Sequence, residues 1–297
     1  MGENTPAIKP NKVDALKNML NASSVQEQFQ NTMKESKGIF VASLIDLYNN
    51  DSKLQECEPK SVVMEALKAA ALKLPINKQL GYAYILPFNN SHREGNNWVK
   101  RMEPTFIIGY KGYIQLAMRT GQYKNINADI VYEGELQHVD KLSGEINFDG
   151  VKTSDTVVGF FAYYKMLNGF TKTLYVSLSD MAKHAKRYSP SLKNNKDVTV
   201  EKLIEIGRTV KESSEVGWLG NFADMGLKTC VREMLSKWGY MSIEMQQAYT
   251  NDNDEPENPA SPAVNANKQV IDIDPVETPE KTEVPSDHGA IPPDANF

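Results

Sequence analysis

The chain has 297 residues, 40% hydrophobic and 24% charged, which is ordinary for a folded protein and enough for one large domain or two small ones. No run of about 18 apolar residues exists to span a membrane, and residues 1–11 are too polar for a secretory signal. Two cysteines, Cys57 and Cys230, exclude a disulfide framework and fit a reducing cytoplasm, while the net charge of −5 excludes a uniformly basic molecule.

The first quarter is expected to be helical. Val13, Leu16 and Leu20, then Val25, Phe29 and Met33, recur at helical spacing. Residues 39–48 repeat the pattern with Phe40, Leu44 and Leu47 on one face. Pro59 suits a first helical turn ahead of Val62, Ala66, Ala69 and Ala70, and Pro75 stops that helix. Residues 81–88 and 98–108 are expected as two strands of a hairpin, joined by a polar loop over residues 89–97. A short amphipathic helix follows over residues 110–119, ended by Gly121. Strand signals return at residues 126–132, 136–139, 157–167 and 170–176, and Asn168-Gly169 suits the positive φ angles of a type I′ turn.

Ser177 or Ser179 can cap a helix running to Arg187. A second helix is expected over residues 200–212, and a third from Asn221 or Asp224 to about Trp238, with Leu227, Val231, Met234 and Leu235 inward. The expected fold class is α+β: a small, mostly antiparallel sheet flanked by helices. From residue 251 the chain is proline-rich and acidic, so residues 251–297 are expected to form a disordered tail. That tail has eleven acids against Lys268 and Lys281, a net −9; removing it from the total of −5 leaves +4 on residues 1–250. Three parts follow: an N-terminal helical assembly segment (1–35), a core (36–250) and the tail (251–297).

Catalytic signatures fail on spacing. The stretch from Gly220 to Gly226-Leu-Lys228-Thr229 has five residues between its glycines where a phosphate loop has four, and Leu227 interrupts Gly-Lys. His92, His138, His184 and His288 are scattered, and neither cysteine has a neighbour to complete a metal site. Asp129, Glu133 and Glu135 could belong to a metal-dependent nuclease, and Asp51-Ser-Lys53 and Glu58-Pro-Lys60 match Asp/Glu-x-Lys, but both copies fall in helix-flanking loops. No catalytic residue and no metal ligand is expected.

Cations form faces instead. At about 100° per residue, Lys111, Gln115 and Arg119 fall about 40° apart on one acid-free stripe, with Tyr110, Ile114, Ala117 and Met118 on the inner side. Gly109 and Gly112 bracket Lys111 and leave room for another backbone to approach. Lys100 and Arg101 precede this helix, although only one can face a given side of a sheet. Lys183, Lys186 and Arg187 share a helix face near His184; Arg208 and Lys211 pair; Lys228 and Arg232 stand four residues apart, with Lys237 beyond. Aromatic residues interleave: Tyr82, Tyr84, Trp98, Tyr110, Tyr113 and Tyr188, with Tyr113 counted among the candidate contacts. Cations for phosphates and flat rings for bases are what a single nucleic-acid strand requires.

Three stretches carry a family likeness. Leu74-Pro-Ile-Asn-Lys-Gln-Leu-Gly-Tyr-Ala-Tyr-Ile-Leu-Pro-Phe88, Gly109-Tyr-Lys-Gly-Tyr-Ile-Gln-Leu-Ala-Met-Arg119 and Met225-Gly-Leu-Lys-Thr-Cys-Val-Arg232 resemble, in order, segments of the RecT family of phage single-strand annealing recombinases. Asp129-Ile-Val-Tyr-Glu133 fits the same pattern. Gly217-Trp-Leu-Gly220 departs from the family's Gly-Pro-Trp, and the helix over residues 200–212 reads as an insertion. The resemblance implies binding of single-stranded DNA and of the duplex annealing intermediate, without ATP or a catalytic site, in a basic groove of a homo-oligomeric ring or filament. It implies a 5′-to-3′ exonuclease partner, no cofactor beyond at most a non-essential magnesium ion, and Lys111 and Arg119 as first DNA contacts, with Lys228 and Arg232 next. The acidic C-terminus ending in Phe297 is similar to the tip of bacterial single-strand binding proteins, which leaves the host single-strand binding protein as a further partner. A metal-dependent nuclease and a self-assembling scaffold are the competing readings.

Overall fold

The computed structural model describes residues 11–140, 142–211 and 217–252. The apolar spacing at the start produces helices α1 (Lys12–Leu20) and α2 (Ser23–Met33), which bury Val13, Leu16, Leu20, Val25 and Phe29. Helix α3 (Lys37–Asn50) buries Phe40, Leu44 and Tyr48; Leu47 is only partly buried, because a four-residue step from Leu44 lands on Tyr48. Helix α4 (Pro59–Ala71) starts on Pro59 and buries Val62, Val63, Ala66, Leu67, Ala69 and Ala70. It lies at the centre of this half, with α1, α2 and the following hairpin packed on it.

That hairpin is longer than its sequence suggests. Strands β1 (Ala83–Glu94) and β2 (Asn97–Ile108) stay in antiparallel register from Ala83 opposite Ile108 out to Glu94 opposite Asn97. The expected loop over residues 89–97 is therefore mostly strand, turning at Gly95 with φ 61°. Its polar composition reflects solvent on both faces rather than the absence of pairing. Cross-strand polar pairs, such as His92 with Glu103 at 2.9 Å, replace apolar alternation there.

Helix α5 (Tyr110–Arg119) follows directly and packs tightly back on the chain before β1. A methyl group on Gly109 would lie 2.2 Å from the Gly81 carbonyl oxygen, and one on Gly112 would lie 2.2 Å from that of Tyr82. The backbone for which these glycines make room is thus the chain's own. Met118, expected inside, is exposed.

Strands β3 (Tyr123–Tyr132), β4 (His138–Val139), β5 (Ile146–Asn147), β6 (Val157–Met166) and β7 (Thr171–Ser177) come next. β6 is the centre of an antiparallel sheet ordered β3-β6-β7, and β4 pairs with β5 alone. The hairpin at Asn168-Gly169 forms, but only Gly169 takes a positive φ, at 90°. The turn is therefore wider than type I′, closed by Met166 N–H donating to the Phe170 carbonyl at 2.8 Å.

Helix α6 (Leu178–Tyr188) starts on Ser177, whose hydroxyl accepts from Asp180 N–H at 3.1 Å. A short α7 (Pro190–Lys193) leads to α8 (Val200–Gly207), which stops five residues before the expected Glu212. The cause is tertiary: the Arg208 carbonyl accepts from Val157 N–H at 2.9 Å, tying the chain to the start of β6. Helix α9 (Phe222–Trp238) crosses the three-stranded sheet and packs on α5. Gly226, the false phosphate-loop glycine, is the contact point, since a methyl there would lie 2.9 Å from the Phe160 ring. Helix α10 (Ile243–Asn251), which sequence reading missed, covers α5 and buries Met245 and Ala248.

The fold is α+β with antiparallel sheets, and one continuous core runs from Val13 to Ala248. Most of the tail, residues 253–297, lies outside the described residues. Among the described residues no helix is long and apolar enough to cross a membrane.

Candidate nucleic-acid interface

The stripe on α5 divides into different roles. Lys111 is exposed, its stem lying against Gly81 and its ammonium 5.9 Å from the Tyr110 ring. Gln115 is half-buried beside it. Arg119 is anchored: Nη1 donates to the Leu72 carbonyl at 2.7 Å and Nη2 to that of Lys73 at 2.9 Å, closing the C-terminal end of α4. Burial lowers its pKa from the ordinary arginine value. Tyr113, expected as a contact, is fully buried, and its hydroxyl donates to Asp252 at 2.6 Å. It belongs to the core because it points from α5 into the seam with α9 and α10.

Lys228 needs a similar correction. It is 4% exposed, and its ammonium lies 2.9 Å from Asp252 Oδ1. Arg232 Nε lies 4.0 Å from Asp252 Oδ2, and its guanidinium sits 5.2 Å from the Tyr249 ring. Both cations also line a small cleft of about 20 Å³, walled further by His184, Tyr188, Ser189 and Trp218. The cleft lies between α6, which contributes His184 and Tyr188, and α9; the α6 cations Lys183, Lys186 and Arg187 are not among its walls. Arg187 lies over the Tyr188 ring at 5.2 Å. Lys186 is taken up by structure, donating to the carbonyls of Leu192 at 2.8 Å and Asn195 at 2.7 Å. Lys183 pairs with Asp180 at 3.0 Å, Arg208 stands 3.9 Å from Glu205, and Lys211 is exposed.

The hairpin separates Lys100 from Arg101. Paired residues across an antiparallel ladder share a face, and successive residues alternate. Arg101 therefore shares a face with Glu94, to which it is ion-paired, and with Glu103. Lys100 lies with Asn89, Ser91, Arg93, Trp98 and Met102, none of them acidic. Trp98 is 71% exposed there. Arg93 was missed as a contact because residues 89–97 read as a loop, and Trp98, named among the interleaving aromatics, was not singled out; strand alternation puts the two on one face.

The carboxylates that could suggest a nuclease are used locally. Asp51 accepts from Leu54 N–H at 3.0 Å and from Lys78 at 2.7 Å, and Glu133 accepts from Ser154 at 2.7 Å. Among the described residues no three His, Cys, Asp or Glu converge as a metal site.

A family profile described as the RecT family matches residues 39–265. The chain belongs to the RecT family. It is 36% identical over 272 residues to YqaK of Bacillus subtilis (strain 168), an uncharacterised protein, covering 91% of this chain and 83% of that one. It is 28% identical over 211 residues to Protein RecT of Escherichia coli (strain K12), covering 68% of this chain and 66% of that one. The RecT match starts at Ile39 in α3 and runs through the hairpin, α5, the three-stranded sheet, α6, α8 and α9, so that every candidate contact falls within it. Membership places the chain among single-strand annealing proteins of recombination, which are generally non-catalytic.

Proposed function

We propose that this protein binds single-stranded DNA and pairs it with a complementary strand, without nucleotide, as a homo-oligomer. Membership of the RecT family over residues 39–265 carries the reading. On this reading the side chains that serve it are Arg93, Trp98 and Lys100 on the acid-free hairpin face, Lys111 on α5, and those of the cleft between α6 and α9. Cations there hold phosphates and Trp98 offers a ring to a base, so binding is largely independent of sequence and weakens with salt.

Annealing is downhill, so base pairing supplies the free energy and the protein supplies alignment and charge neutralisation. No cofactor is needed, and magnesium acts at most by screening phosphates. Self-association would draw on exposed apolar side chains of the β6–β7 turn and the end of α9, namely Leu167, Phe170, Trp238 and Tyr240. A 5′-to-3′ exonuclease that exposes the strand is the expected partner, the acidic tail could also recruit a host single-strand binding protein, and the setting is cytoplasmic.

The test is to mix two complementary oligonucleotides with the protein, without nucleotide, and follow duplex formation. Faster pairing than in protein-free buffer is expected. An unchanged rate, or magnesium-dependent loss of labelled DNA, overturns the reading.

A further inference from the structure

We propose that the Asp252 carboxylate occupies a phosphate site of this protein, and that α10 is a strap the DNA strand displaces. The inference rests on the single-strand binding proposed above and adds its regulation. Asp252 is fully buried at its side chain and receives the Lys228 ammonium at 2.9 Å, the Tyr113 hydroxyl at 2.6 Å and the Arg232 guanidinium at 4.0 Å. Two cations and a hydroxyl around one oxyanion form a seat that suits a phosphate as well as a carboxylate.

The same two cations also line the cleft between α6 and α9. Lys228 and Arg232 thus meet an internal anion and also line a small cleft shared with Tyr188 and Trp218. A phosphate entering that cleft competes with Asp252 for these two cations. The competitor sits on a weak element. Helix α10 has nine residues, too few to be stable alone; Met245 and Ala248 are buried, and Tyr249 packs on the Tyr113 ring at 5.3 Å and donates to the Arg232 carbonyl at 2.8 Å.

The experiment uses the full-length protein and an oligothymidine. Hydrogen exchange over residues 243–252 is expected to accelerate in the complex. Asp252→Asn is expected to bind oligothymidine about tenfold more tightly, a typical size for coupling between two sites, and Lys228→Gln in the same chain to cancel the gain. Bound oligothymidine with unchanged or slower exchange in α10 overturns the strap and leaves Asp252 a structural anchor. Should Asp252→Asn fail to fold, the exchange measurement on the unaltered protein decides alone. Absence of any oligothymidine binding overturns the single-strand reading itself, a result distinct from failure of the strap.

Discussion

Lys228 and Arg232 show how a cation's role depends on what stands opposite it. Four residues apart on α9, they look like a phosphate grip, yet Asp252 meets both from a helix that closes the chain's described part. Removing one member of a buried pair leaves the other charge without compensation, which costs about 3–5 kcal/mol. Lys228→Ala is therefore expected to lower the free energy of urea unfolding by about that amount, whereas Lys111→Ala, at an exposed site, should change it by less than about 0.5 kcal/mol. Equal stabilities for the two variants would contradict the burial of Lys228. Cys57 and Cys230 illustrate the opposite outcome: burial pushes the Cys57 thiol up to about 11 and raises that of Cys230 further, so both are protected from thiol reagents in the native state.

The β1–β2 hairpin and α5 carry most of the surface proposed to face DNA. The outer half of the hairpin contributes nothing to the core, so its side chains can be tested without loss of folding. Trp98→Ala should weaken oligonucleotide binding by about 1–3 kcal/mol, the usual worth of one base stacked on a ring, with the melting temperature unchanged. Fluorescence anisotropy against oligothymidine checks this, and an unaltered affinity removes Trp98 from the interface. Arg93→Ala and Lys100→Ala should each reduce the slope of log affinity against log salt by about one. Helix α5 behaves differently because its position is set by backbone contact. Gly112→Ala would force a methyl to within 2.2 Å of the Tyr82 carbonyl, and overpacking of that kind costs about 1–3 kcal/mol. A clear drop in melting temperature is expected, and an unshifted one would mean that the α5–β1 junction can open.

At the scale of the molecule, the core is rich in tyrosine, and this sets its alkaline limit. Burial raises the phenol of Tyr113 well above 10.0, helped by the neighbouring Asp252 charge, and raises that of Tyr164 to about 12. Tyr48, Tyr84, Tyr110, Tyr123 and Tyr175 are shifted in the same direction, with burial the largest cause in each. The folded pKa lies above the unfolded value, so the stabilisation is complete below pH 10 and is lost as pH rises towards 12. Urea midpoints should hold between pH 8 and 9 and fall above pH 10, together with a late rise in tyrosinate absorbance. A rise that precedes unfolding would show these rings to be solvated.

Much of the architecture was legible because its causes are local. The stripe Val13, Leu16 and Leu20, the proline at the head of α4, the Ser177 cap and the turn at Gly169 act within a few residues, and each element formed where its signal lies. Ordered motifs around Gly109-Tyr-Lys-Gly and Met225-Gly-Leu-Lys-Thr were enough for the family, and the glycines of the first are required by contact with Gly81 and Tyr82. The candidate contacts were less legible. Arg119 and Lys186 are spent on backbone carbonyls, Tyr113 and Lys228 are buried, and Arg93 and Trp98 gained their shared face only from strand pairing. Periodicity and capping are properties of neighbouring residues, so the sequence alone determined most helices, most strands and the family. Charge pairing and exposure depend on groups brought together from afar, as Tyr113 and Asp252 are across 139 positions, so only the tertiary structure decided which cations stay at the surface.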